Sequence, residues 1–167
     1  ENPFTGEKRV LIPSPKVETY DLQPQMRAPE ITDKIIESIE SREFDLIIAN
    51  YANGDMVGHT GKLEPTIKAV EVLDKCLGKL EMSLTEDSDQ MLITSDHGNA
   101  EQMRDPKSEE EHTAHTNNLV PLVCVSKQPL TTINENGSLS DIAPTILNLM
   151  DIDIPKEMTG QPLFEKS

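Results

Sequence analysis

The sequence predicts an α/β fold: a largely parallel sheet flanked by helices. Three observations carry that expectation. The run Phe44–Tyr51 is mostly apolar and of strand length, as expected of a strand covered on both faces. Helical apolar spacing precedes it at Ile31, Ile35, Ile36 and Ile39 and follows it at Ile67, Val70, Leu73, Leu77, Leu80 and Leu84. Two further apolar runs, Gln90–Thr94 and Leu119–Val125, continue the alternation of strand and helix.

Each element has a local reason. Arg9–Ile12 is a short strand stopped by Pro13 and Pro15. The loop that follows, Pro13-Ser14-Pro15-Lys16 to Thr19-Tyr20-Asp21, is too proline-rich to be helical, and Lys16 is its candidate for a substrate-side role. Pro29 is well placed to open the first helix, and Ser41-Arg42-Glu43 ends it. Past the strand at 44–51 comes a glycine-rich segment, Gly54 to Gly61, at the sheet edge where α/β folds bind ligands. A long helix is expected from Glu64 to Leu84, then an acidic turn at Glu86–Asp89 and the strand at 90–94. The polar stretch 100–118 includes Glu109-Glu110-Glu111, a solvated loop face. Pro121 places the next strand's start or an edge there. Residues 127–137 form a polar loop, Ser140–Met150 a helix with Ser140 as its cap, and the tail from Ile154 an irregular segment that docks through its apolar residues.

Composition limits the partners. The 167 residues fit one domain, but 35% are apolar, with two Tyr, three Phe and no Trp, so the core must be aliphatic. Thirty acidic against fifteen basic residues give a net charge of -15, which argues against nucleic acid or an anionic membrane as partner. Such a surface also repels phosphorylated substrates unless bound divalent cations reverse the sign locally. Cys76 and Cys124 read as free thiols of a reducing compartment, and no apolar run is long enough to span a membrane. The chain opens on Glu1 in a segment that reads like the interior of something longer, so a fragment is expected.

The chemistry concentrates around four histidines, at 59, 97, 112 and 115. Asp55 and His59 are four residues apart, so one helical turn puts both on the same side. Asp96 and His97 stand at the carboxyl end of the strand at 90–94, followed by Gly98 and Asn99. His115 lies just before the strand at 119–125, with His112 three residues earlier as a weaker candidate. Carboxylate and neutral imidazole form an oxygen and nitrogen donor set that suits manganese, zinc and cobalt alike. If the strands are neighbours, Asp55, His59, Asp96, His97 and His115 converge on one edge, enough for most of two metal sites.

At these residues the chain resembles a known family. Asn53-Gly54-Asp55-Met56-Val57-Gly58-His59-Thr60-Gly61, Thr94-Ser95-Asp96-His97-Gly98-Asn99-Ala100-Glu101 and His112-Thr113-Ala114-His115-Thr116 are similar to the metal motifs of the cofactor-independent phosphoglycerate mutases, in the alkaline phosphatase superfamily. Ile12–Val17, Thr19–Pro24 and Asp141–Leu147 extend the likeness over essentially the whole chain. The resemblance implies an alkaline-phosphatase-like domain present in part: residues 1–167 as the carboxyl-terminal portion of the metal-binding domain, without the nucleophile segment or the substrate-gripping domain. It implies two divalent ions, manganese in the family, one held by Asp55, His59 and His115 and the second partly by Asp96 and His97. It also implies a cytoplasmic glycolytic enzyme that interconverts 3-phosphoglycerate and 2-phosphoglycerate through a phosphoserine. Its partners would be that small substrate and the rest of the parent chain, and this piece alone is expected to be silent. The competing readings are a phosphopentomutase or phosphatase on the same metal constellation, and a non-catalytic metal-binding module.

Overall fold

The structure is a computed structural model that describes residues 2–166. It divides into two compact units: residues up to Ser83 together with His97–Leu119, and Leu84–Asp96 together with the chain from Val120 onward.

The first unit is helical. Helix α1 spans Ala28–Ser41, with Pro29 in its first turn and Arg42 in the left-handed conformation after its last residue. Helix α2, Asn53–Gly58, is short, and helix α3, Leu63–Ser83, packs against both α1 and α2. The core joins Met26 and Val57 to Ala69, with Tyr20 and Ala52 against them. Fully buried Val57 thereby anchors α2 to α3, and the Asn53 side-chain amide holds the start of α2 by donating to the Pro24 carbonyl at 2.8 Å. The buried side of α3 runs through Thr66, Ala69, Cys76 and Leu80. This is a rotation from the expected stripe: Ile67 and Val70 are exposed, because small Thr66 and Ala69 are what allow α2 to approach.

The second unit holds two small sheets. Strand β1, Gln90–Thr94, pairs antiparallel with β2, Leu122–Ser126, in the register Leu92 with Cys124. Strand β3, Leu130–Thr132, pairs antiparallel with β4, Phe164–Lys166. Helix α4, Ile142–Leu149, follows a 3-10 turn at Leu139–Asp141. The capping box belongs to that turn, between Ser138 and Asp141, while α4 itself follows Asp141 without a side-chain cap and the expected cap, Ser140, lies inside the turn. Asp141 also accepts from the Gln161 amide at 2.8 Å, and the Thr145 hydroxyl accepts from the Leu163 amide at 2.9 Å. The tail is thus docked as expected, with Leu163 buried, but it ends in a strand rather than irregular chain.

The mixed α/β composition matches the sequence reading; the largely parallel sheet does not form among the described residues, where both ladders run antiparallel. Parallel pairing needs a crossover connection, usually a helix, and the segment 95–121 between β1 and β2 has none. The expected strands at 9–12 and 44–51 form no ladder, and Val10, Leu11, Leu46 and Ile48 are exposed. An apolar run specifies a strand only where a neighbouring strand completes its hydrogen bonds. Among the described residues no helix is long and apolar enough to cross a membrane.

Candidate metal centre

The first unit brings Asp55, His59, His97 and His115 together. Helix α2 and the residue that caps it supply the first two: the His59 amide donates to the Asp55 carbonyl at 2.9 Å, which puts both side chains on one side of that turn. His97 and His115 come from two loop segments joined by an antiparallel bridge between Gly98 and Thr116, with the Thr116 amide donating to the Gly98 carbonyl at 2.9 Å.

Asp55 Oδ1 is the centre of the cluster. It lies 3.0 Å from His115 Nε2, 3.1 Å from His59 Nε2 and 3.9 Å from His97 Nε2. The two nitrogens of His59 and His115 are themselves 3.0 Å apart, and the His97 and His115 rings stack at 3.6 Å between centroids. Ligands about 2.0–2.2 Å from a shared ion stand roughly 3–3.5 Å from one another, so these separations fit an ion held in common.

The tautomers point the same way. His59 Nδ1 is 2.6 Å from the Thr113 carbonyl, which can only accept, so Nδ1 carries the proton in the neutral ring and Nε2 presents its lone pair to the cluster. His97 Nδ1 has the same relation to the Gly98 carbonyl at 3.3 Å. Lone pairs and a carboxylate aimed at one point repel each other in the absence of a cation; they suit one that is positive and takes nitrogen and oxygen donors. Asp55 contributes as an anion. Burial works against its charge, but the hydrogen bond from the Asn99 side-chain amide, together with the positive charge that His59, His115 and His97 carry when protonated, outweighs that and holds it below the usual carboxylate range.

Asn99 and Glu101 are contributors that the sequence reading left out. The buried Asn99 side chain donates to Asp55 Oδ1 at 2.8 Å and rests on Gly58, where a β-carbon would come within 2.6 Å of its Oδ1. Glu101 accepts from the Asn99 backbone amide at 2.6 Å, from the Thr116 hydroxyl and from the Asn118 side chain at 2.9 Å. Their signal in the sequence was membership of the motif Thr94–Glu101, in which no role was read for either.

Asp96 is exposed and belongs to the second unit. His112 is not a member of the cluster: its backbone amide donates to the Met103 carbonyl at 3.0 Å, and its Nε2 is buried. Lys16 is exposed beside a shallow depression shared with Ser14, Arg27 and Glu30.

Comparison with known proteins agrees with this chemistry. Residues 1–154 match the metalloenzyme superfamily. A 2,3-bisphosphoglycerate-independent phosphoglycerate mutase of Salmonella typhi is 58% identical over 164 residues, 98% of this chain and 32% of that protein. The enzyme of the same name from Ruthia magnifica subsp. Calyptogena magnifica is 60% identical over 165 residues, again 32% of its length. A structure of Leishmania mexicana phosphoglycerate mutase, solved at low cobalt concentration, superposes with a TM-score of 0.84 at 29% identity, covering 93% of this chain and 31% of that one. The chain therefore spans about a third of the length of the relatives it matches. Since the superfamily match runs through all the segments that carry the clustered donors, sequence and geometry lead to one statement: the chain belongs to the metalloenzyme superfamily.

Proposed function

We propose that these residues are the metal-binding portion of a cofactor-independent phosphoglycerate mutase, a cytoplasmic glycolytic enzyme that interconverts 3-phosphoglycerate and 2-phosphoglycerate. The observation that carries the reading is the convergence of Asp55 Oδ1 with Nε2 of His59 and of His115, all within 3.1 Å, in a chain 58% identical to an enzyme of that name.

Asp55, His59 and His115 would hold one divalent ion, and His97 with Asp96 would contribute to a second; manganese is the metal we expect. Bound there, divalent ions would offset the charge of phosphate oxygens and lower the pKa of a hydroxyl nucleophile. The chain's own part is to hold anionic Asp55 and neutral imidazoles fixed in advance. The Asn99 amide and the Thr113 carbonyl do this from behind the donors. A metal-loaded cluster also answers the problem of a chain with net charge -15 receiving an anionic substrate. Lys16, near Arg27, is the candidate for a contact on the substrate side.

In this reading the phosphoryl group passes from one hydroxyl of the glycerate to a serine hydroxyl and returns to the other. Two easier transfers replace one hard one. The serine and the basic residues that grip the substrate would lie outside these 167 residues, which would be the carboxyl-terminal portion of the whole. The test compares mutase turnover of the full-length protein, its Asp55→Ala variant and the 167-residue chain. Activity in the first alone is expected; turnover that survives Asp55→Ala would overturn the proposal.

A further inference from the structure

Three segments of the first unit must be held together for the donor cluster to exist, yet none of the clustered side chains sits on a named strand. Helix α2 carries Asp55, is capped by His59 and is anchored by Val57. The segments that carry His97 and His115 meet at two isolated bridges, Gly98 with Thr116 and Arg104 with Glu111, and through the His112 amide, which donates to the Met103 carbonyl. The carboxylate of Glu101 adds side-chain connections next to the donors themselves. One of its oxygens accepts from the backbone amide of Asn99, two residues after His97. The other accepts from the Thr116 hydroxyl, one residue after His115, and from the Asn118 side chain. Asn99, fixed at its backbone in this way, donates through its side chain to Asp55 Oδ1 and to the Asp55 carbonyl. A single carboxylate thus lies at the junction of all the ligand-bearing segments without itself touching a donor atom of the cluster. Gly98 is part of the same fit, since a β-carbon there would run into the Thr116 hydroxyl and the Glu101 carboxylate.

We propose that Glu101 is a positioning residue for the metal centre: its carboxylate clamps the His97 and His115 segments to each other and, through Asn99, sets the carboxylate of Asp55. The inference rests on the metal-binding reading above and adds to it a residue that acts through others. Charge-assisted hydrogen bonds are stronger than neutral ones, and three on one carboxylate make a stiff junction. Supports behind metal ligands fix where the donor atoms stand before the ion arrives, so their loss weakens affinity even where the fold persists.

The experiment is calorimetric titration of manganese into the full-length protein, its Glu101→Ala variant and its Glu101→Gln variant, each below its own melting temperature. Removing the carboxylate should weaken manganese binding roughly tenfold or more. Glutamine should recover most of that loss, because its amide oxygen can accept from Asn99 while its NH2 group donates to Thr116 and the Asn118 amide turns over. A residue that served the fold alone would lower the melting temperature and leave the affinity of the folded protein unchanged, and that result would overturn the proposal. Should the alanine variant fail to fold, Thr116→Val removes one arm of the clamp; weaker manganese binding by that variant is expected, and wild-type affinity would again overturn it. A wild-type protein that binds no manganese would overturn the metal reading itself, a different outcome from wild-type binding that the variants leave untouched.

Discussion

His59 and His115 face each other with their Nε2 atoms 3.0 Å apart, and each of those atoms is also within 3.1 Å of Asp55 Oδ1. Three donors on one small triangle make each contribution to an ion depend on the others. Replacing Asp55 by Ala removes the shared anionic corner, and His59→Ala removes a ring whose orientation the Thr113 carbonyl has already set. Either variant should weaken manganese affinity by more than about a hundredfold, beyond what loss of a supporting residue causes. Titration calorimetry of both would check this, and an affinity within a few-fold of wild type would place the ion elsewhere.

Gly58 leaves no room for a side chain against Asn99. A β-carbon at that position comes within 2.6 Å of Asn99 Oδ1, and Asn99 is itself buried. Gly58→Ala should therefore cost about 1–3 kcal/mol in urea unfolding through overpacking. It should also displace the Asn99 amide from Asp55 and weaken metal binding. Unchanged stability together with unchanged affinity would show that Asn99 has room to move.

Acid should loosen the Glu101 junction in a defined window. Hydrogen bonds from the Thr116 hydroxyl, the Asn118 amide and the Asn99 backbone amide outweigh partial burial and bring the Glu101 carboxyl down to about 2 from its ordinary 4.5. A depressed carboxylate stabilises the fold fully above the unfolded value, and the contribution fades as pH falls from about 4.5 toward about 2. In that range the unfolded chain binds the proton first. The metal-free protein should lose urea stability more steeply there than Glu101→Gln does, and parallel profiles for the two would rule out this source.

The 3-10 turn that leads into α4 offers a test within the second unit. Ser138 and Asp141 exchange hydrogen bonds in a capping box, while the Ser140 hydroxyl reaches only that of Ser138. Ser138→Ala should destabilise by about 1 kcal/mol and Ser140→Ala by clearly less. Chemical denaturation of the two variants would show whether that order holds.

Where a structural feature depended on neighbours in sequence, the amino-acid order was sufficient to find it. Pro29 and the isoleucine spacing located α1, the apolar spacing after Gly61 located α3 within a residue at each end, and the interval of four between Asp55 and His59 foretold their shared side of one turn. That Asp55, His59, His97 and His115 carry side chains of metal-ligating type was also legible, because few residue types can ligate a metal and they occur here in short, glycine-flanked segments. Tertiary structure decided the rest. It turned α3 so that Thr66 and Ala69, rather than Ile67 and Val70, meet the core, since burial follows what packs closely and not hydrophobicity alone. It paired β1 with β2 antiparallel and left residues 44–51 without a ladder, because strand direction and pairing are properties of two segments and cannot be read from one. The roles of Asn99 and Glu101 likewise came from contacts up to 44 residues apart along the chain, where only folding brings donor and acceptor together.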